Sequence, residues 1–179
     1  IFTLRRAELL WFYQDGASWL FPDFWEDFIA PIPEAERGDL IAAYRKRLTG
    51  TDPEEQLACA RAWSVWEGRT IRLLPSEDNI AQHAQDAFSL AFARIENHYF
   101  VHAGWMEAGQ LIRDASRLAG IPGVIVQGRY DVCTPMRTAW ELHRAWPQAE
   151  FQLVPDAGHA YNEPGILSRL IDATDRFAA

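Results

Sequence analysis

The chain has 179 residues, of which 17 are basic and 25 acidic, so its formal net charge is −8. With 49% hydrophobic and 23% charged residues it has a globular composition, which excludes a disordered chain. The acidic balance argues against nucleic acid or an anionic membrane as a partner. No apolar run approaches the roughly 18 residues that a membrane-spanning helix needs.

The first two thirds of the chain are predicted to be a succession of helices, because apolar residues recur there at helical spacing. The clearest helix start is Asp52-Pro53-Glu54-Glu55, where an N-cap residue precedes proline and two acids of the first turn. Gly68 is predicted to follow the end of that helix. The predicted helices cover residues 5–14, 19–28, 34–48, 53–67 and 84–97.

The residue pattern changes after Gly120. Short β-branched and apolar runs there predict buried strands, and amphipathic segments predict helices. A strand, a helix and a second strand in this order form a βαβ unit of a parallel sheet, which the last helix covers. The chain is therefore predicted to be an α/β protein, with strands at 121–128 and 150–154 and helices at 135–146 and 164–177.

The loop after each predicted strand contains one ionisable side chain of interest. Asp131 lies in the loop after the first strand, and His159 lies 28 residues later in the loop after the second. The carboxyl ends of neighbouring parallel strands lie at one edge of a sheet, where ligands and chemistry are found in α/β folds. The Asp131 carboxylate can then fix the tautomer of the His159 imidazole, whose other ring nitrogen acts as a base.

Longer motifs carry a resemblance to a known family. They include Trp-Ser-Val-Trp-Glu-Gly at 63–68, Ala-Arg-Ile-Glu-Asn-His-Tyr-Phe at 93–100, Gly-Arg-Tyr-Asp at 128–131 and Gly-His-Ala-Tyr-Asn-Glu-Pro-Gly at 158–165. Over essentially its whole length the chain resembles the proline iminopeptidases, which are α/β-hydrolases. The resemblance implies the C-terminal portion of an α/β-hydrolase fold. Residues 1–118 would form a mostly helical cap domain, and residues 119–179 the last βαβα part of the core.

The resemblance also implies an activity, that of a serine exopeptidase which releases N-terminal proline from peptides in the cytoplasm without a cofactor. Two cap glutamates would hold the cationic N-terminus of the substrate, since a desolvated ammonium needs paired anions. Aromatic side chains would line the pocket for the proline ring. The implied residues are Asp131 and His159 for catalysis, and Glu67, Glu96, Phe2, Phe12 and Phe100 for substrate binding.

The nucleophile is not among these residues. None of the six serines lies in a Gly-x-Ser-x-Gly pattern, and no loop resembles an oxyanion hole. We therefore expect the chain to be the C-terminal part of a larger enzyme, one that needs the missing N-terminal part of the hydrolase fold. In isolation it is expected to be inactive and prone to associate, since a small parallel sheet exposes its edges.

Two alternatives remain open at this point. One is a non-catalytic, truncated cap module that binds amines or peptides, and the other is an α/β-hydrolase that acts on another ester or amide. The paired cap glutamates argue against the second alternative.

No metal site is expected, because His98 and His102 lie outside any zinc motif. Cys59 and Cys133 form no Cys-x-x-Cys motif, a cysteine usage that suits the cytoplasm.

Overall fold

The computed structural model describes residues 1–178, which form two compact units. Unit 1 comprises Ile1–Thr3, Ile71–Leu74 and the chain from Gly109 onward, and unit 2 comprises Leu4–Thr70 and Pro75–Ala108. The division into domains 1–118 and 119–179 stays a prediction. The two compact units have different boundaries from these predicted domains. Unit 1 joins the C-terminal part of the chain with three further segments, Ile1–Thr3, Ile71–Leu74 and residues 109–118.

Unit 2 is helical throughout its described elements. Its six α-helices are α1 (Arg6–Tyr13), α2 (Pro22–Ile29), α3 (Leu40–Leu48), α4 (Pro53–Thr70), α5 (Glu77–His83) and α6 (Asp86–Val101). Short 3-10 turns lie at Ala17–Trp19, Glu34–Glu36 and Ala103–Trp105. The helices predicted at 5–14, 19–28, 53–67 and 84–97 are confirmed, with ends that shift by a few residues.

The predicted helix at 34–48 is wrong in its first part. Residues 34–36 form a 3-10 turn, and α3 begins only at Leu40, because the Asp39 carboxylate caps it by accepting a hydrogen bond from the Ala42 amide at 3.1 Å. Helix α5 was not predicted, although Ser76 caps it and two acids occupy its first turn.

Gly68 does not end its helix, since α4 continues to Thr70. A Cβ atom at Gly68 would lie 2.8 Å from the Cβ and 2.9 Å from the Cγ of His83. The glycine therefore gives α5 room to pack closely against α4, and its role is a close approach rather than a helix stop.

Aromatic rings fill the core of unit 2. The Trp63 ring, fully buried on α4, stacks on Tyr13 at 4.4 Å between centroids and lies 5.2 Å from Tyr44. Phe28 and Phe100 lie 6.0 and 6.1 Å from the same indole. Large apolar rings bury much area each, so this cluster fixes how α1, α2, α3 and α6 pack around α4.

Unit 1 contains the predicted βαβ unit. Strand β1 (Val124–Gly128), α8 (Met136–Ala145), β2 (Glu150–Val154) and α9 (Pro164–Ala178) follow the short helix α7 (Gln110–Arg113) and a 3-10 turn at Ala115–Leu118. The strands pair in parallel, with Val124 opposite Glu150 and Gly128 opposite Val154. The parallel pairing is confirmed, and β1 is shorter than predicted because residues 121–123 precede it.

Helices cover both faces of this small sheet. Ile125 packs with Ala139 of α8 on one face, together with the partly buried Leu142 and Trp146. On the other face Val154 packs with Ile166 of α9. Three of the five residues of each strand are apolar. Because successive side chains of a strand point to opposite faces, these residues contribute to both cores. Within residues 1–178 we find no helix with the length and apolar character that crossing a membrane requires.

Candidate functional site

The structure brings Asp131 and His159 together at the carboxyl ends of β1 and β2. The His159 Nδ1 atom lies 3.0 Å from Oδ2 of Asp131. The Asp131 side chain is buried, whereas the His159 side chain is 35% exposed. Because Nδ1 faces the carboxylate, Nε2 is the ring nitrogen left to exchange a proton with another group.

Two backbone hydrogen bonds hold the loops after β1 and β2 side by side. The Arg129 amide donates to the Val154 carbonyl at 2.8 Å, and the Tyr130 amide donates to the Ala157 carbonyl at 3.0 Å. These bonds continue the pairing of the strands beyond their ends. Asp131 and His159 therefore meet because the parallel register extends into both loops.

Asp131 lies in a dense set of hydrogen-bond donors. Its Oδ1 accepts the Thr134 amide at 2.8 Å, and its Oδ2 accepts the Thr134 hydroxyl and the Gln127 side-chain amide, each at 2.9 Å. Burial by itself would raise the pKa of Asp131, but the hydrogen bond and charge of His159 and the Thr134 amide hold that pKa below its ordinary value. Asp131 is therefore an anion at neutral pH, as a partner for an imidazolium must be.

The His159 loop is fixed from its other side by the segment Ile71–Leu74 of the same unit. The His159 and Ala160 amides both donate to the Ile71 carbonyl at 3.0 Å. The buried carboxylate of Glu163 accepts the Gly158 amide at 3.0 Å and the Leu73 amide at 3.4 Å. The backbone on either side of His159 thus has little freedom.

In unit 2 a second cluster joins the two predicted glutamates, Glu67 of α4 and Glu96 of α6. The Tyr13 hydroxyl makes a short hydrogen bond to Oε1 of Glu67 and lies 3.4 Å from Oε2 of Glu96. The Trp63 indole N–H donates to the same Glu96 oxygen at 2.8 Å. The sequence separation of 29 residues is closed by the packing of α4 against α6.

The Glu67 carboxyl group is strongly perturbed. Burial is the main cause that raises its pKa well above the ordinary value, and the nearby Glu96 carboxylate adds charge repulsion and a hydrogen bond in the same direction. The hydrogen bond from Tyr13 partly opposes this rise. Two carboxyl groups in such contact form a site that gains strongly from a cation.

The predicted aromatic residues separate into two sets. Phe12 and Phe100 are buried in unit 2, and their ring centroids lie 4.8 and 5.3 Å from that of Tyr13. They therefore lie beside the glutamate cluster. Phe2 belongs to unit 1 and is 36% exposed.

Sequence reasoning missed several residues that these clusters contain. Trp63 lies inside the motif at 63–68 and Tyr13 in the helix predicted at 5–14, yet the pattern indicates no role for either. Gln127 and Thr134 lie close to Asp131 in sequence, but the pattern does not identify them as its hydrogen-bond partners. The short separation of Thr134 from Asp131 was the one available signal, since a hydroxyl or amide three residues after an aspartate often hydrogen-bonds to it. Glu163 lies inside the motif at 158–165, but that motif alone does not indicate that its carboxylate accepts the Gly158 amide.

Neither cluster is arranged as a metal centre. Within the described residues no group of three or more His, Cys, Asp or Glu side chains is placed to hold a metal ion. His98 near the end of α6 and His102, which caps that helix, lie 4.8 Å apart between ring centroids. The ionisable groups of both clusters are bound to protein donors instead.

Comparison with known proteins finds close relatives. A probable proline iminopeptidase of Leptolyngbya boryana is 58% identical over 180 residues, and the proline iminopeptidases of Xylella fastidiosa (strain Temecula1) and Arabidopsis thaliana are 57% and 51% identical over 178 and 181 residues. The matches cover 99–100% of this chain, but 56%, 57% and 48% of the three relatives. The chain thus spans about half the length of the curated relatives it matches. No family model matches it.

Proposed function

We propose that this chain, a homologue of the proline iminopeptidases along its whole length, is part of a serine exopeptidase that releases N-terminal proline from peptides. The resemblance expected from the motifs is confirmed by these identities. In the proposal, unit 2 is the helical cap of an α/β-hydrolase, and unit 1 contains the last strands and helices of its core. The remaining part of the fold, with the nucleophilic serine, would come from sequence outside these residues.

The observation that carries the hydrolytic part of the proposal is the hydrogen bond between Asp131 and His159. In the proposed reaction Nε2 of His159 takes the proton from the serine hydroxyl as that oxygen attacks the substrate carbonyl. The imidazolium then gives the proton to the leaving amine. Asp131, held anionic by its donors, keeps Nδ1 protonated and stabilises the imidazolium.

The glutamate cluster supports the proposed specificity. A peptide with N-terminal proline presents a secondary ammonium with two N–H donors, and Glu67 and Glu96 offer two carboxyl groups bridged by one hydroxyl. Phe12 and Phe100 beside them suit the compact apolar ring. The proposed part of Phe2 in substrate binding rests on the resemblance alone. Cys59 and Cys133 are buried and form no disulfide, which supports a reducing compartment such as the cytoplasm.

The test uses the intact protein and three chromogenic anilides, those of proline, of N-blocked proline and of alanine. We expect turnover of the free prolyl substrate and little turnover of the blocked one. Glu96→Gln should lower kcat/KM for the free substrate by roughly tenfold or more, as expected when one partner of a charged pair is lost. Asp86→Asn, which removes an exposed acid of α6 paired with Arg61, is the control and should change little.

The same substrates separate the alternatives. Equal rates on free and blocked proline would indicate an ester or amide hydrolase without recognition of the N-terminus. Binding of prolinamide without turnover of any substrate would indicate a binding module. Either result would contradict the proposal.

A further inference from the structure

Arg45 and Arg94 differ from the other lysine and arginine residues of unit 2 in their side-chain contacts. Six of the nine lysine and arginine side chains of this unit form ion pairs with carboxylates, and Arg37 donates to the Ile32 carbonyl at 2.8 Å. Arg45 and Arg94 have neither an ion pair nor a hydrogen bond from their guanidinium groups to any described residue. Arg45 and Arg94 are therefore exceptions among the cations of unit 2, most of which pair with a carboxylate.

Arg45 and Arg94 line the same groove, although they come from different helices. The groove lies between α3 and α6 and has a volume of about 450 Å³. Its other lining residues are Thr49, Ile95, His98 and Tyr99, so no carboxylate lines it. The Thr49 hydroxyl donates to the Arg45 carbonyl at 2.7 Å and is thus already used, whereas the phenol of Tyr99 is half-exposed.

The charges of this groove favour an anionic ligand. Two guanidinium groups close together repel each other, and the repulsion is relieved when an anion lies between them. A guanidinium presents its N–H groups in a planar fork that matches the oxygens of a phosphate or a carboxylate. The Tyr99 hydroxyl can donate a further hydrogen bond.

We propose that the groove between α3 and α6 binds an oxyanion through Arg45 and Arg94. The shared ligand chemistry is a phosphate or carboxylate group, and Ile95 and the Tyr99 ring provide apolar surface for the part of the ligand that carries it.

This groove is separate from the glutamate cluster, although α6 contributes to both. Glu96 lies two residues from both Arg94 and His98, and positions two apart point about 200° apart around a helix. Glu96 bonds to Tyr13 and Trp63 and does not line the groove. Helix α6 thus presents the Glu96 carboxylate to a proposed cation site and the Arg94 guanidinium to the oxyanion groove. The proposal for the groove does not depend on the proposed peptidase function.

The test titrates inorganic phosphate and, separately, acetate into the intact protein at constant ionic strength. Binding is followed by calorimetry and by the NMR signals of the arginine Nε and the His98 ring. We expect a saturable millimolar response in the wild-type protein and a response at least about tenfold weaker in the double variant Arg45→Gln/Arg94→Gln. Arg61→Gln, which changes an exposed arginine paired with Asp86, is the matched control and should bind as the wild type does.

The result also distinguishes the two sources of the oxyanion. Tighter binding of phosphate assigns the groove to phosphate groups, and equal or tighter binding of acetate assigns it to carboxylates, and both support the proposal. A response that does not saturate, or one that is equal in the double variant and the wild type, overturns it. Since Arg45 and Arg94 stabilise no partner, the double variant should unfold with an undiminished free energy, which keeps loss of binding distinct from loss of fold.

Discussion

Gly128 at the end of β1 lies against the backbone of Gly158, immediately before His159. A Cβ atom at Gly128 would lie 1.9 Å from the Gly158 carbonyl oxygen and 2.7 Å from that of Ala157. Both are backbone atoms, which cannot rotate away as a side chain does. The close approach of the Asp131 and His159 loops therefore requires glycine at 128.

Gly128→Ala should separate these loops. We expect a loss in the free energy of unfolding of about 1–3 kcal/mol, the range for overpacked sites, together with loss of the Asp131–His159 hydrogen bond. Denaturant unfolding and the kcat of the intact protein measure the two effects. Gly38→Ala is the control, since a Cβ there meets no heavy atom within 4 Å. Equal stability and kcat in both variants would contradict this account of Gly128.

The Asp131–His159 pair could be predicted because it depends on order along the chain. In a strand–loop–helix–strand–loop order, the loops that contain Asp131 and His159 lie at one edge of the sheet, whatever their detailed conformation. The hydrogen bonds of Thr134 and Glu163 depend on the conformations of those loops, which the residue pattern does not determine. The residue pattern therefore predicts no role for Thr134 or Glu163.

The glutamate cluster shows a second limit of prediction from the sequence. Helical periodicity gives each helix an apolar face, but it does not say which faces meet, and the pairing of Glu67 with Glu96 came from the resemblance alone. Tyr13 joins the two because its ring stacks on Trp63, a contact between helices distant in sequence. Likewise, Gly68 was read as a helix stop because its contact with His83 is not visible in the sequence.

Tyr13→Phe tests the hydroxyl that bridges the two glutamates. The variant keeps the ring that packs on Trp63 and removes the donor, so the pKa of Glu67 should rise further and its anion should become harder to form. A hydrogen bond to a charged group is worth about 1.5–3 kcal/mol, so kcat/KM for a free prolyl substrate should fall at least about tenfold. Tyr161→Phe, at an exposed ring of unit 1, should leave it unchanged. An equal effect of the two substitutions would assign the Tyr13 hydroxyl no part in recognition.

Glu67→Gln should change how the stability of unit 2 depends on pH. The folded protein holds the Glu67 proton more tightly than the unfolded chain, whose pKa is near 4.5. As the pH rises from about 4.5 through the raised pKa, the unfolded chain loses its proton first, so the free energy of unfolding falls. The neutral amide removes this ionisation, and its stability should decline less over the same interval.

The fluorescence of the buried Trp63 and Trp66 reports unfolding of unit 2 for this comparison. Glu26→Gln, an exposed substitution on α2 in the same unit, is the control and should keep the pH dependence of the wild type. If Glu67→Gln shows that same dependence, the pKa of Glu67 does not differ between the folded and the unfolded protein, which contradicts the proposed rise.

Glu163→Gln tests whether a buried carboxylate positions His159. The two oxygens of Glu163 accept amides from both sides, those of Gly158 and Leu73, whereas glutamine offers one oxygen and an NH₂ group. One buried N–H must then face another donor, at a cost of about 1–3 kcal/mol. We expect amide hydrogen exchange at residues 158–160 to become roughly tenfold faster or more. Exchange in β1 should stay as slow as in the wild-type protein.

The matched control for this variant is Glu150→Gln, which neutralises an exposed glutamate of unit 1 paired with Arg176. It should leave exchange in the His159 loop unchanged, because a surface ion pair contributes little. In the intact protein Glu163→Gln should lower kcat with little change in KM, since His159 is displaced while the glutamate cluster is untouched. A uniform rise of exchange over the whole of unit 1, with kcat unchanged, would instead make Glu163 a general stabilising residue and remove its positioning role.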